Sequence, residues 1–179
     1  MIWKLREILA ERNLSKIQRD WRGKGLSNIE SSKKAIVLVS FEDIDSLKPH
    51  KIRNQLKLIA LNIKLEFVTY IKNKKVAEAK TFSDDWFVLT SNDLSFGLEP
   101  RDIKRFSADL FLDFTSKPET PMLFLLLNSS ARMRIGNRNE WNEKYLDFMI
   151  QADREKGIEY LAEQLVYYLQ KINSNNNAA

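Results

Sequence analysis

The feature that most constrains the fold is a run of short apolar segments that alternate with amphipathic segments from Ala35 onward. The first of them, Ala35–Ser40, is continuous and rich in β-branched residues, as in strands buried on both faces of a parallel sheet. Polar loops end each apolar segment, and the amphipathic segments between successive apolar segments carry apolar residues at helical spacing. Six segments are predicted to be strands: Ala35–Ser40, Lys64–Ile71, Trp86–Thr90, Asp109–Phe114, Arg132–Gly136 and Tyr145–Gln151.

This alternation predicts an α/β fold, a doubly wound, mostly parallel, Rossmann-like sheet of about six strands with helices on both faces. One alternative stays open, in which residues 86–96 form a hairpin at one edge of the sheet. Both arrangements leave Ala35–Ser40 and Asp109–Phe114 in central positions.

Helix starts are predicted from capping residues. Ser46 is expected to cap a helix with Pro49 in its first turn, and Asp153 to cap a long final helix. Ser116-Lys117-Pro118-Glu119 matches a capping box ahead of the apolar run from Met122. The polar stretch Asn137–Glu143 is predicted to be a mobile loop.

Composition excludes several classes of chemistry. The 179 residues contain no cysteine and one histidine, His50, so disulfide frameworks, thiolate metal sites and cysteine nucleophiles are ruled out. Neither a G-x-G-x-x-G nor a Walker spacing occurs among the five glycines. We therefore predict no catalytic residue, no metal and no cofactor.

The net charge of +5 lies in the N-terminal segment. Residues 1–34 hold nine basic and four acidic residues, and the basic and acidic residues of the remaining chain balance. We expect three regions: a basic helical arm and linker (1–34), the α/β domain (35–173) and a frayed tail (174–179). The sequence shows no targeting segment, and the expected location is the cytoplasm.

Within the arm, two apolar sets have helical spacing. The first set consists of Ile2, Leu5, Ile8 and Leu9. The second set consists of Leu14, Ile17 and Trp21, together with Trp3, and lies roughly 120° round the helix when each residue turns it by about 100°. Either the helix breaks near Asn13, or its two faces have two different partners. The candidate partner-binding residues are Ile2, Trp3, Leu5, Ile8, Leu9, Lys16, Arg19 and Trp21.

A second candidate site lies where the central strands end. Thr115 and Ser116, at a predicted helix N-terminus, could bind a phosphate together with Lys117 and Arg138. The simpler interpretation is that Ser116 is only a helix cap.

Other polar groups have a simpler structural interpretation. Glu42, Asp43 and Asp45 are expected to form a solvated acidic turn rather than a cation site, and His50 to face solvent. Arg132 and Arg134 share one strand face, where they meet an anionic partner or form salt bridges with Asp109 or Asp113.

Two families resemble the sequence. The order of the basic helix, the SFEDIDSL loop, the Asp109–Asp113 strand and the segment IGNRNEWNEKYLDFMI resembles a family of small uncharacterised Bacteroidota proteins, a domain of unknown function. That resemblance implies a Rossmann-like cytoplasmic protein without an assigned activity. Asp109–Gly136 alone is similar to the N-terminal domain of heptosyltransferase-like glycosyltransferases, which implies a shared fold only.

These observations favour a non-catalytic binding or scaffold protein that docks to a larger partner through its basic amphipathic arm. The expected partner is a protein, with RNA or an anionic membrane surface as alternatives, and the oligomeric state is left open. The alternative function is a small nucleotide- or phosphate-binding protein, or an enzyme with a glycosyltransferase-like half-fold.

Overall fold

The computed structural model describes residues 2–20, 29–60, 62–117 and 119–176 and contains a six-stranded sheet, all of it parallel. The strand order is β3-β2-β1-β4-β5-β6, the order of a doubly wound Rossmann sheet. The predicted α/β class is therefore confirmed. The strands are β1 (Lys34–Leu38), β2 (Lys64–Ile71), β3 (Trp86–Thr90), β4 (Leu110–Asp113), β5 (Met133–Asn137) and β6 (Phe148–Ile150).

The hairpin alternative at residues 86–96 is wrong. Strand β3 pairs in parallel with β2, with Phe67 opposite Trp86. Beyond β3, Leu94 makes only an isolated antiparallel bridge with Pro100.

Strands β1 and β4 form the centre of the sheet because their side chains are apolar on both faces. Ala35, Ile36 and Val37 have no exposed surface, and Val37 lies between Phe67 of β2 and Leu112 of β4. Continuous burial of this kind needs a layer of helices on each side.

Helices supply those layers, and the described part of the chain has five of them together with short 3-10 turns. The helices are α1 (Ile2–Asp20), α2 (Pro49–Lys57), α3 (Lys74–Glu78), α4 (Thr120–Asn128) and α5 (Ile158–Asn176). Helices α2 and α5 pack side by side against one face of the sheet, through residues such as Ile52, Leu56, Leu161 and Leu165. Helix α4 covers the other face through Met122, Leu125 and Leu126.

Helix α4 is apolar on nearly every side because it is covered twice. Its inner residues contact the sheet, and Phe124 on its outer side packs with Ala10 of α1, Leu94 and Leu98. A helix that is apolar all round is stable only when buried all round. Helix α1 is therefore the outermost layer on this side of the sheet.

Three predicted caps are wrong because the helices start later than their polar signals. Helix α2 begins at Pro49 after Lys48, and the Ser46 hydroxyl donates to the Asp43 carbonyl instead. Helix α4 begins at Thr120 after Glu119, so Ser116 caps no helix. Asp153 caps a 3-10 turn at residues 154–156 that precedes α5.

Candidate functional site

The strand order reverses between β1 and β4, so the crevice where an open α/β sheet binds ligands lies beyond their carboxyl ends. The segment after β1 begins with Ser40, and the segment after β4 contains Thr115, Ser116 and Lys117. Three of the four residues of the predicted phosphate site therefore do lie in this crevice.

The carboxylate of Asp113 organises the buried part of the crevice. It accepts hydrogen bonds from the Thr115 backbone N–H (3.1 Å) and hydroxyl (2.6 Å) and from the Asn142 side-chain amide (3.0 Å). Burial raises the pKa of Asp113, and these hydrogen bonds oppose the rise. The network fixes the chain after β4 and uses the donors of Thr115.

The Ser116 backbone N–H and the Arg154 guanidinium, which lie next to Thr115, also have acceptors. The Ser116 backbone N–H donates to the Ser40 hydroxyl at 2.8 Å. Arg154 donates to the carbonyls of Phe114 and Thr115, each at 2.9 Å, and to the Asp43 carboxylate at 2.8 Å. These hydrogen bonds join the segments after β1 and β4 to the turn before α5.

The two cations of the predicted phosphate site have carboxylate partners. Lys117 is hydrogen-bonded to Glu42, and this contact lowers the pKa of Glu42 and raises the pKa of Lys117. Arg138 pairs with Glu143 of its own loop at 2.8 Å. A phosphate here would have to replace both carboxylates, and the backbone N–H groups of Thr115 and Ser116 already have other acceptors.

Each carboxylate of the acidic turn after β1 forms a salt bridge with a different basic side chain. Glu42 binds Lys117, Asp43 binds Arg154 at 2.8 Å, and Asp45 binds Lys80 at 2.5 Å. Among the described residues, no three His, Asp or Glu side chains are grouped as a metal site would require. His50 is exposed.

The arginines of β5 have different partners. Arg132 lies 3.6 Å from Asp109, which confirms one predicted salt bridge. Arg134 is buried and binds Asp147, not Asp113, and donates to the carbonyls of Leu126 and Ser129 at the end of α4.

Helix α1 is continuous through Asn13, and its two apolar faces have different surroundings. Trp3, Leu14 and Ile17 are half-buried against the α4 side of the molecule. On the other face, Ile2 and Ile8 are 72% and 62% exposed.

The remaining predicted partner-binding residues of α1 differ in exposure. Leu5 is 52% exposed, Leu9 is half-buried and Lys16 is exposed. The side chain of Arg19 and the whole of Trp21 lie outside the described residues.

Arg6 fixes the helix to the body. Its guanidinium donates to the carbonyls of Ser95 (3.2 Å) and Phe96 (3.1 Å), and it lies over the Trp3 ring at 5.2 Å from the centroid. These contacts hold the outward face of α1 in a fixed orientation.

Comparison with known sequences places the chain in a family. The match to the family of unknown function DUF6913 covers residues 5–172, which is nearly the whole chain and most of α1. The chain belongs to this family. No curated protein matches it. DUF6913 therefore includes both the six-stranded body and the helix that covers α4.

Two features of this DUF6913 chain escaped sequence analysis. Arg154, rather than Arg138, reaches Thr115, because the turn before α5 folds over the end of β4. Phe96, next to Arg6, is 52% exposed. Neither residue has a pattern in the sequence that marks it. None of the helices in the described ranges is long and apolar enough to cross a bilayer.

Proposed function

We propose that this protein is a non-catalytic docking or scaffold protein that binds a protein partner through the outward face of α1. The observation that carries the proposal is the exposure of Ile2, Leu5 and Ile8 on a helix whose opposite face is packed against the body. A helix needs only one apolar face to pack onto its own domain. The second apolar face is of the kind that helix-in-groove recognition uses.

The basic residues of the same face specify the chemistry of the partner. Arg12 and Lys16 follow Leu5 and Leu9 at intervals of three and four residues, so all four lie on one side of the helix. Arg12 and Lys16 are exposed, and no described carboxylate pairs with either of them. Glu7 and Glu11 lie on another side of the helix. The proposed partner segment is therefore an amphipathic helix with apolar residues at one end and acidic residues at the other.

We also propose that the protein is cytoplasmic, that it comes from a member of the Bacteroidota and that its relation to heptosyltransferase-like glycosyltransferases is limited to the fold. A nucleotide- or phosphate-binding function has weaker support, because Lys117 and Arg138 already bind Glu42 and Glu143.

Site-specific crosslinking tests the proposal. A photoreactive amino acid is placed at Ile8 in the full chain, with a matched position at Leu58, which is 63% exposed on another surface. We expect a protein crosslinked at Ile8 and not at Leu58. That protein, once identified and purified, should bind the full chain directly.

Variants of the full chain then separate the contributions. Leu5→Glu should abolish binding of the purified partner, Leu58→Glu should leave it unchanged, and reversal of Lys16 and Arg19 should weaken it less than Leu5→Glu. The proposal would be refuted if nuclease treatment abolished partner binding, or if the chain bound only to anionic vesicles and to no protein. A crosslink between two copies of this chain would also refute it. So would steep salt dependence with charge reversal as the most damaging change, because that pattern indicates binding through phosphates.

A further inference from the structure

A cavity of about 360 Å³ lies at the carboxyl edge of the sheet, and none of the residues that line it belongs to α1. Its walls come from the turn after β1 (Phe41), the end of β2 (Tyr70 and Ile71), helix α3 (Val76) and the loop before α4 (Glu119). Its volume is at the lower end of the range for small-molecule sites, which are lined mainly by apolar and aromatic groups with a few polar ones.

Glu119 is the first polar group of this cavity. Its Oε2 atom is buried and has no hydrogen-bond partner among the described residues. Burial raises the pKa of Glu119 to about 7, with Glu42 adding to the rise and Lys117 opposing it. Near neutral pH the carboxyl group is therefore partly protonated and can donate a hydrogen bond as well as accept one.

Lys72 is the second polar group. Its ammonium lies 3.7 Å from the centroid of the Trp3 ring of α1, and no carboxylate in the described ranges forms a salt bridge with it. Lys117, which also lines the cavity, is neutralised by Glu42. The cavity is thus lined by a lysine that forms no salt bridge with a described carboxylate, and by a carboxyl group whose Oε2 atom has no hydrogen-bond partner among the described residues.

We propose that this cavity binds a small organic acid, with the apolar body of the ligand against Phe41, Tyr70 and Val76 and its carboxylate bound by Lys72 and Glu119. The ligand carboxylate supplies the counterion that Lys72 lacks. It also accepts the hydrogen bond that a protonated Glu119 donates, a charge-assisted bond of the stronger kind. An organic cation would instead face the positive charge of Lys72.

Direct binding to the full chain tests the ligand class. Benzoate, benzyl alcohol and benzylamine have similar apolar bodies and differ in charge. Titration calorimetry should show saturable binding of benzoate, with weaker binding of the other two. Amide chemical shifts should move at Tyr70, Ile71 and Val76. This mapping needs no variant, so it tests the proposal even if a substitution perturbs folding.

The pH dependence tests the role of Glu119. The anion binds best when Glu119 is protonated, so affinity should fall by up to about tenfold for each pH unit above 7. The groups facing Glu119 are Lys117 and Glu42, and Lys72 and Tyr70 share the cavity with it. Glu119→Gln should keep binding and lose this pH dependence.

Lys72→Met should weaken benzoate binding at least about tenfold, the effect of one charge-assisted contact. Lys75→Met, an exposed lysine of α3 outside the cavity, is the matched control. Preference for benzylamine, shift changes confined to other surfaces, no saturable benzoate binding, or equal effects of the two lysine substitutions would each overturn the proposal.

Discussion

Replacing Asp147 by asparagine should destabilise the protein because the change leaves the Arg134 charge buried without its carboxylate. The two side chains are 2% and 0% exposed, so solvent does not screen the pair. Removing one partner of a buried ion pair costs about 3–5 kcal/mol. The Nη1–Oδ2 distance of 3.5 Å is long, and an asparagine oxygen can still accept from the Arg134 backbone N–H, so we expect the lower end, about 3 kcal/mol.

That loss corresponds to a fall in Tm of about 6–12 °C for a domain of this size. Urea and thermal unfolding followed by circular dichroism would measure it, with Asp102→Asn, an exposed aspartate, as control. Arg134→Met should cost more, because it also removes the guanidinium hydrogen bonds to the carbonyls of Leu126 and Ser129 and leaves the Asp147 carboxylate buried without that cation. An Asp147→Asn protein within about 1 kcal/mol of the wild type would refute this account of the pair.

Three further predictions concern packing, the arm and titration. Gly136→Ala should lower the free energy of unfolding by several kcal/mol, because the new Cβ would lie 2.7 Å from the Asp113 carbonyl oxygen. Gly97→Ala is the control and should cost far less, because its Cβ would approach the Asn13 side-chain amide at 3.2 Å. Urea unfolding of the two variants measures the difference. Ala10→Glu should increase hydrogen exchange throughout α1 because Ala10 is 1% exposed, and unchanged exchange would contradict the packing of this helix. The pKa of Glu119 rises from 4.5 in the unfolded chain to about 7, so the wild type should lose up to about 3 kcal/mol as the pH rises between these values, and Glu119→Gln should not.

The sheet was predictable from the sequence because its strands are continuous apolar runs. Ala35–Ser40 and Lys64–Ile71 are too short and too β-branched for buried helices, and their order along the chain favours parallel crossovers. The helix starts were less predictable. Ser46 and Ser116 have the right residue type for a cap, and yet α2 begins three residues after Ser46 and α4 begins four residues after Ser116.

The candidate site was predictable in position and not in detail. The crevice follows from strand order, but which side chains bind there depends on contacts between distant segments, such as Arg154 with Thr115. The loop after β5 was predicted to be mobile, and the structure shows that one of its residues is anchored in the body. Asn142 is fully buried and binds Asp113, because polar residues also serve to satisfy buried partners.

The packing of α1 has a consequence for synthesis of the chain. Ala10 packs against Leu94, Leu98 and Phe124, so its binding surface is completed only when α4 has been made. At about 5–20 residues per second, the roughly one hundred residues between them take about 5–20 s to translate. During that interval both apolar faces of α1 are uncovered on the nascent chain. The outermost layer of the fold therefore cannot pack in place until four of the six strands and α4 have been synthesised.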